Sequence, residues 1–102
     1  MKITIETSSY NSRRYGRPWV AVVDFSASPK GDYRWGEWVG DHSSGSEGLL
    51  VIEAQEGDIV AVGQKDFRRP SNSAPVYYQV REGRLVQLSS KAEAYQLATS
   101  SN

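Results

Sequence analysis

The sequence contains no cysteine and only one histidine, His42. Without cysteine there is no disulfide bond and no thiolate ligand for a metal, and a single histidine does not make up a zinc ligand set. The lack of disulfide bonds also fits a reducing cytosol. We therefore predict a cytoplasmic protein that has no metal site and needs no cofactor.

Long apolar runs are also missing. The first ten residues, MKITIETSSY, alternate apolar with polar or charged side chains, so they have neither the apolar centre of a signal peptide nor the length of a membrane span. The chain carries 12 basic and 12 acidic residues and has no net charge. Its 102 residues suffice for one domain, residues 1–102. Because the sequence has no long apolar segment, we expect no contact with a membrane.

Catalytic motifs are absent as well. His42 stands between Asp41 and Ser43, but a Ser-His-Asp relay needs groups that converge from directions that immediate neighbours do not supply. The sequence has neither the glycine-rich phosphate loop GxxxxGK[ST] nor the dinucleotide motif GxGxxG. We predict that the protein has no catalytic residues and is not an enzyme.

The residues that are present favour β-structure. Short stretches rich in β-branched and aromatic side chains alternate with turn signals along most of the chain. The predicted strands are KITIE, WVAVVDF, YRWGEWV, LLVIEA, IVAVG, VYYQV and RLVQL. We expect a mainly β fold, a small antiparallel curled sheet or barrel of five to seven strands, with one C-terminal helix.

Local signals make several of these predictions specific. Ser90 and Glu93 form a capping box that starts a helix from Lys91 to about Ala98, with Tyr95 on the sheet. A Gly-containing turn at 81–83 joins two strands as a hairpin. QEGD, residues 55–58, is a turn from which IVAVG returns. In YRWGEWV, Gly36 indicates a bulge or a close backbone approach, and alternation points Trp35 into the core and Trp38 outward.

Charge is segregated along the chain. Residues 32–58 contain seven acidic residues and one basic residue, which leaves a net charge of +6 on the remainder. Such segregation favours a polarised surface, although folding can also mix the charges. An acidic face of this kind would resemble a phosphate backbone, but proteins that imitate DNA carry a strong negative net charge and this chain carries none.

Basic and aromatic residues alternate in two further stretches, YNSRRYGRPW and QKDFRR. Arginine pairs with phosphates and carboxylates and stacks on rings, and aromatic side chains stack on bases. Tyr, Trp and Arg are also the residue types that dominate protein interfaces. A third interpretation is that the rings pack inward and the arginines form ordinary ion pairs. The candidate binding residues are Arg13, Arg14, Tyr15, Arg17, Trp19, Lys65, Phe67, Arg68 and Arg69.

The stretches MKITIETSSYNSRRYGRPWVAVVDFS and GQKDFRRPSNSAPVYYQV resemble a family of small uncharacterised proteins carried by integrative and conjugative elements and phages of Gram-positive bacteria. The resemblance extends from Met1 to about Tyr95 and supplies no catalytic residue. Small proteins of unknown function on such elements include anti-CRISPR proteins, other anti-defence inhibitors and DNA-transfer accessories, so the resemblance implies one of these roles. Most such inhibitors bind a large effector stoichiometrically.

Two functions follow as hypotheses. The first is a stoichiometric inhibitor of a bacterial defence effector, a host protein or ribonucleoprotein such as a Cas nuclease. The alternative is a single-stranded nucleic-acid-binding module that serves transfer of the element. Both use the same candidate residues, and neither needs a cofactor.

Overall fold

The structure is a computed structural model that describes residues 1–10, 18–40, 46–64 and 75–99. These ranges form eight β-strands and one helix. The strands are β1 (Lys2–Tyr10), β2 (Pro18–Asp24), β3 (Asp32–Trp35), β4 (Glu37–Gly40), β5 (Ser46–Glu53), β6 (Ile59–Gln64), β7 (Val76–Arg81) and β8 (Arg84–Gln87), and the helix is α1 (Lys91–Thr99).

The described strands lie in two antiparallel sheets. A three-stranded sheet has the order β1-β5-β4, and a five-stranded sheet has the order β3-β2-β6-β7-β8. The predicted fold class is therefore confirmed: the protein is mainly β with one C-terminal helix, and its sheets are curled without closing into a barrel. The strands number eight rather than five to seven because the predicted strand YRWGEWV is divided in two.

Gly36 makes that division, and the chain passes from one sheet to the other at this residue. Its amide donates a hydrogen bond to the carbonyl oxygen of Val20, with an N–O distance of 2.8 Å. A Cβ at this position would collide with the carbonyl oxygen of Val51 and lie 2.6 Å from Cγ1 of Val20. The close backbone approach predicted at Gly36 is therefore confirmed.

The turn at 55–58 forms as expected, but its two strands do not pair. The amide of Asp58 donates to the carbonyl of Gln55, and the Asp58 carboxylate accepts from the Gln55 amide. β5 then pairs with β1 and β4, whereas β6 pairs with β2 and β7. The expectation that IVAVG returns along LLVIEA was wrong, because this turn connects two sheets.

The main core lies between the two sheets. β2 and β6 alternate, so that Val20 and Val60 point into this core while Val23 and Ala61 point to the opposite face. Both faces of the five-stranded sheet therefore carry apolar side chains. The buried residues of the main core are Ile3, Val20, Leu50, Ile52, Ala54, Val60 and Val80.

The helix packs on the opposite face of the five-stranded sheet, here called the helix-side face, over β7. Ala94 is fully buried there, and the Tyr95 ring meets the Phe25 ring edge to face at a centroid distance of 5.6 Å. The Ser90 hydroxyl accepts a hydrogen bond from the Glu93 amide, as predicted for the cap. In a full capping box the Glu93 carboxylate would accept from the Ser90 amide, but here it accepts from the Ser89 hydroxyl. Only the bond to the Ser90 hydroxyl therefore matches the predicted box.

The hairpin predicted around residues 81–83 also forms, with β7 and β8 paired and Arg81 opposite Arg84. Its two turn residues, Glu82 and Gly83, have φ values of 54° and 75°. Positive φ at both positions is the type I′ geometry, which matches the twist of a hairpin. The Glu56 carboxylate accepts hydrogen bonds from both turn amides and so ties this hairpin to the 55–58 turn.

Candidate functional site: an exposed aromatic surface

Trp19 is the one predicted binding residue that lies within the described ranges. It stands on β2 and is half-buried. The other eight predicted residues lie outside the described residues, and so does His42. They are Arg13, Arg14, Tyr15, Arg17, Lys65, Phe67, Arg68 and Arg69.

The described strands nevertheless fix where the two basic stretches join the sheet. Pro18, at the start of β2, is the register partner of Gln64, at the end of β6. Both stretches are therefore attached at the same end of the same strand pair. The undescribed parts of the chain carry six basic and two acidic residues, whereas the described ranges carry six basic and ten acidic residues. Most of the excess positive charge thus belongs to segments that start from this end.

Three aromatic rings cluster on the helix-side face beside that junction. The Trp19 and Trp35 rings meet edge to face at a centroid distance of 5.3 Å, and the Tyr33 and Trp35 rings stack at 5.7 Å with an interplanar angle of 26°. Trp19 and Tyr33 are 6.3 Å apart, again edge to face. We call Trp19, Tyr33 and Trp35 the aromatic surface.

Trp35 is the outermost ring of the aromatic surface and is 63% exposed. The sequence pattern placed Trp35 in the core and Trp38 outside, and both assignments were wrong. The two indoles do point to opposite sides, but Trp38 is half-buried against the main core. Trp35 lies on β3, an edge strand, while the helix covers β7, three strands away. The helix does reach Phe25, just beyond the C-terminal end of β2, but Trp35 lies opposite Ala21, farther toward the start of that strand, where no described element covers it.

Two contacts beneath the surface hold its rings in place. Gly63 is the register partner of Trp19, and a Cβ on Gly63 would lie 2.5 Å from Cζ2 of that indole. The hydroxyl groups of Tyr33 and Tyr77 form a hydrogen bond of 2.9 Å. Burial of Tyr77, followed by its bond to Tyr33, raises the pKa of its phenol well above the usual value of 10.0. The Tyr77 phenol is therefore neutral at neutral pH and keeps its hydrogen bond to the Tyr33 hydroxyl.

This arrangement suits recognition by contact. A large, rigid, partly exposed indole that rests on two other rings can bury apolar area against a protein partner at little cost in side-chain entropy. The same ring can stack on a nucleobase. The sequence analysis did not include Tyr33 and Trp35 among its candidate binding residues, although their spacing of two within a strand already places both side chains on one face.

The described ranges hold no group of three or more His, Asp or Glu side chains that could bind a metal ion. Nor does any helix within them have the length and apolar character needed to cross a membrane. No known protein family matches the chain, and neither a curated protein nor a solved structure shows significant similarity to it.

Proposed function

We propose that this protein is a non-enzymatic, stoichiometric binding protein of a mobile genetic element. It uses the aromatic surface to contact a bacterial defence effector, a protein or ribonucleoprotein such as a Cas nuclease, and inhibits it in the cytoplasm. The resemblance to proteins of conjugative elements and phages of Gram-positive bacteria motivates the class of partner.

The exposure of Trp35 is the observation that carries this proposal. An indole that is 63% exposed leaves a large apolar area in water, which costs free energy in the isolated protein. Within the described ranges it is the only tryptophan classed as exposed, since Trp19 and Trp38 are half-buried. Tryptophan anchors of this kind are enriched among the few residues that dominate the binding energy of an interface.

A pull-down tests the proposal. A tagged copy is expressed in a Gram-positive host with active CRISPR systems, and captured proteins are identified with and without nuclease treatment. We expect to capture a nuclease-resistant effector whose cleavage activity is inhibited when this protein is bound. Trp35→Ala should recover at least about tenfold less of it, since hot-spot truncations cost about 2 kcal/mol or more.

Val39→Ala is the matched control. Val39 is also well exposed, at 53%, but it lies on β4 in the other sheet. This variant should recover as much effector as the wild type. The proposal is wrong if no defence effector is captured, or if Trp35→Ala and Val39→Ala recover it equally.

A second candidate function is binding of single-stranded nucleic acid during transfer of the element. The stacked pair of Tyr33 and Trp35 supports it, because bases stack on such rings, and so does the joining of both basic stretches beside them. This candidate predicts oligonucleotide binding that weakens steeply with salt and is reduced by Trp35→Ala. An absence of oligonucleotide binding at low salt would eliminate it.

A further inference from the structure

A second surface feature is a groove of about 1100 Å³, located mainly at the opposite end of β2 from Pro18. It lies between the β2–β3 turn, the 55–58 turn and the last turn of α1. Seven residues of β2 separate its Asp24 end from the Pro18 end by about 20 Å. We call this feature the acidic groove. Tyr33 lines the groove and also belongs to the aromatic surface.

Apolar and aromatic side chains form the helix side of the acidic groove. Phe25 and Tyr95 meet there edge to face, and Leu97, two residues along the same helix, is half-buried and also lines the groove. Pro29 contributes an exposed ring from the β2–β3 turn. Phe25 itself is buried, so Tyr95, Leu97 and Pro29 offer the apolar contact to a side chain that enters the groove.

Carboxylates dominate the charge of the groove. Its lining contains four acidic residues and a single basic one, Arg34, whose guanidinium already donates to the carbonyl oxygen of Glu53 at 2.5 Å. The acidic residues are Asp24, Asp32, Glu56 and Asp58. Most of this charge comes from the acidic segment 32–58, so the segregation along the sequence produces a local negative surface.

Two of these acidic residues are neighbours across one strand pair. Asp24 and Asp32 are register partners in the pairing of β2 with β3, and both are exposed. Like charges at directly opposite positions of an antiparallel pair destabilise the sheet. The Asp24 carboxylate instead accepts a hydrogen bond from the Ser26 amide, which lowers the pKa of Asp24 and keeps it charged, so both residues contribute negative charge to the groove.

We propose that the acidic groove binds an arginine-bearing peptide segment of a partner protein. A guanidinium pairs with carboxylates through two parallel hydrogen bonds and also stacks on aromatic rings, and the groove presents both kinds of group. The four carboxylates disfavour nucleic acid and anionic lipid, which would be repelled. This site is separate from Trp35 and goes beyond the function proposed above.

Fluorescence anisotropy with a labelled twelve-residue peptide of alternating arginine and glycine tests this site, at low and at physiological salt. The test variant is Asp24→Asn with Asp32→Asn. The matched control is Glu6→Gln with Glu37→Gln, which removes the same charge from exposed positions on β1 and β4 of the other sheet. We expect the test variant to bind about fivefold more weakly and the control to change affinity by less than about twofold.

Thermal melting of the same proteins provides a second readout. Because an asparagine oxygen can still accept the Ser26 hydrogen bond, the test variant should melt close to the wild type, and the peptide should raise the melting temperature of the wild type more than that of the variant. The proposal is overturned if the peptide does not bind, if both double variants weaken binding equally, or if a matched glutamate peptide binds as well.

A second copy of the chain is the other possible occupant. A dimer in sedimentation that the Asp24→Asn, Asp32→Asn variant dissociates would assign the groove to self-association and overturn the peptide proposal. Trp35→Ala should leave peptide binding unchanged. Failure of the groove proposal therefore leaves the aromatic surface, and the function assigned to it, untouched.

Discussion

The two halves of the helix-side face carry similar aromatic side chains but differ in what covers them. Just beyond the Asp24 end of β2, the helix buries Phe25, which is 4% exposed, beneath Tyr95. Toward β3 no described element covers Trp35, which is 63% exposed. The difference teaches that ring content does not by itself define a core in this protein. The position of a strand relative to one short helix decides which rings stabilise the fold and which are free to bind.

Truncating one ring in each half gives the largest expected contrast. Phe25→Ala should lower the free energy of unfolding by about 3–5 kcal/mol, because a buried ring is replaced by a cavity. Trp35→Ala should lower it by only about 1–2 kcal/mol, since it removes mainly the contacts of Trp35 with the Trp19 and Tyr33 rings. Urea unfolding followed by circular dichroism measures both. Equal losses would mean that Trp35 belongs to the core after all.

The contact between Gly63 and the Trp19 indole lies beneath the half of the face that the helix leaves uncovered. A substitution there should give the next largest loss of stability. Gly63→Ala should cost about 1–3 kcal/mol of unfolding free energy, because its methyl group would overlap the Trp19 indole. In a Trp19→Ala background the same substitution should cost much less, so a double-mutant cycle isolates the contact. A cost for Gly63→Ala that is the same in both backgrounds would show that the strain lies in the backbone and not against Trp19.

The covered half depends on the helix, and the helix depends on its cap. Ser90→Ala should reduce the unfolding free energy by about 1 kcal/mol, because it leaves the Glu93 amide without its acceptor. Ser89→Ala, which removes only an exposed hydroxyl bond to the Glu93 carboxylate, should cost less. If both substitutions cost the same, the Ser90 hydroxyl is not acting as the cap.

The smallest effect we expect is a fall in the free energy of unfolding at alkaline pH. Its cause is Tyr77, which lies between the two halves and is hydrogen-bonded to Tyr33. The pKa of Tyr77 is raised in the folded protein by burial and by its bond to Tyr33. Its contribution to stability is therefore complete below the ordinary tyrosine value of 10.0 and is lost as the pH rises above it. Tyr77→Phe should flatten this part of the stability profile, and an unchanged profile would contradict the shift.

Features with local causes could be predicted from the sequence. The 81–83 hairpin turn and the Ser90 cap are set by residues within four positions of one another, and both form. Gly36 was also identified, because a glycine inside a strand pattern indicates a close approach of two backbones. Each of these signals is contained in one short stretch of chain.

Features that depend on distant partners could not be predicted. Alternation shows that Trp35 and Trp38 point to opposite sides, but it does not say which side another layer will cover. Strands β5 and β6 follow one another through a tight turn, yet each finds its partners elsewhere in the chain. Eight of the nine predicted binding residues lie outside the described ranges, so their roles stay predictions.

The contact made by Trp35 is the central claim, and hydroxyl-radical footprinting with mass spectrometry tests it most directly. The free protein and the complex captured from the host are oxidised in parallel, and the half-buried Trp38 on the other sheet serves as the internal reference. We predict that Trp35 is oxidised readily in the free protein and is protected in the complex, while Trp38 does not change. Oxidation of Trp35 to the same extent in both states would contradict the assignment of the aromatic surface as the binding site.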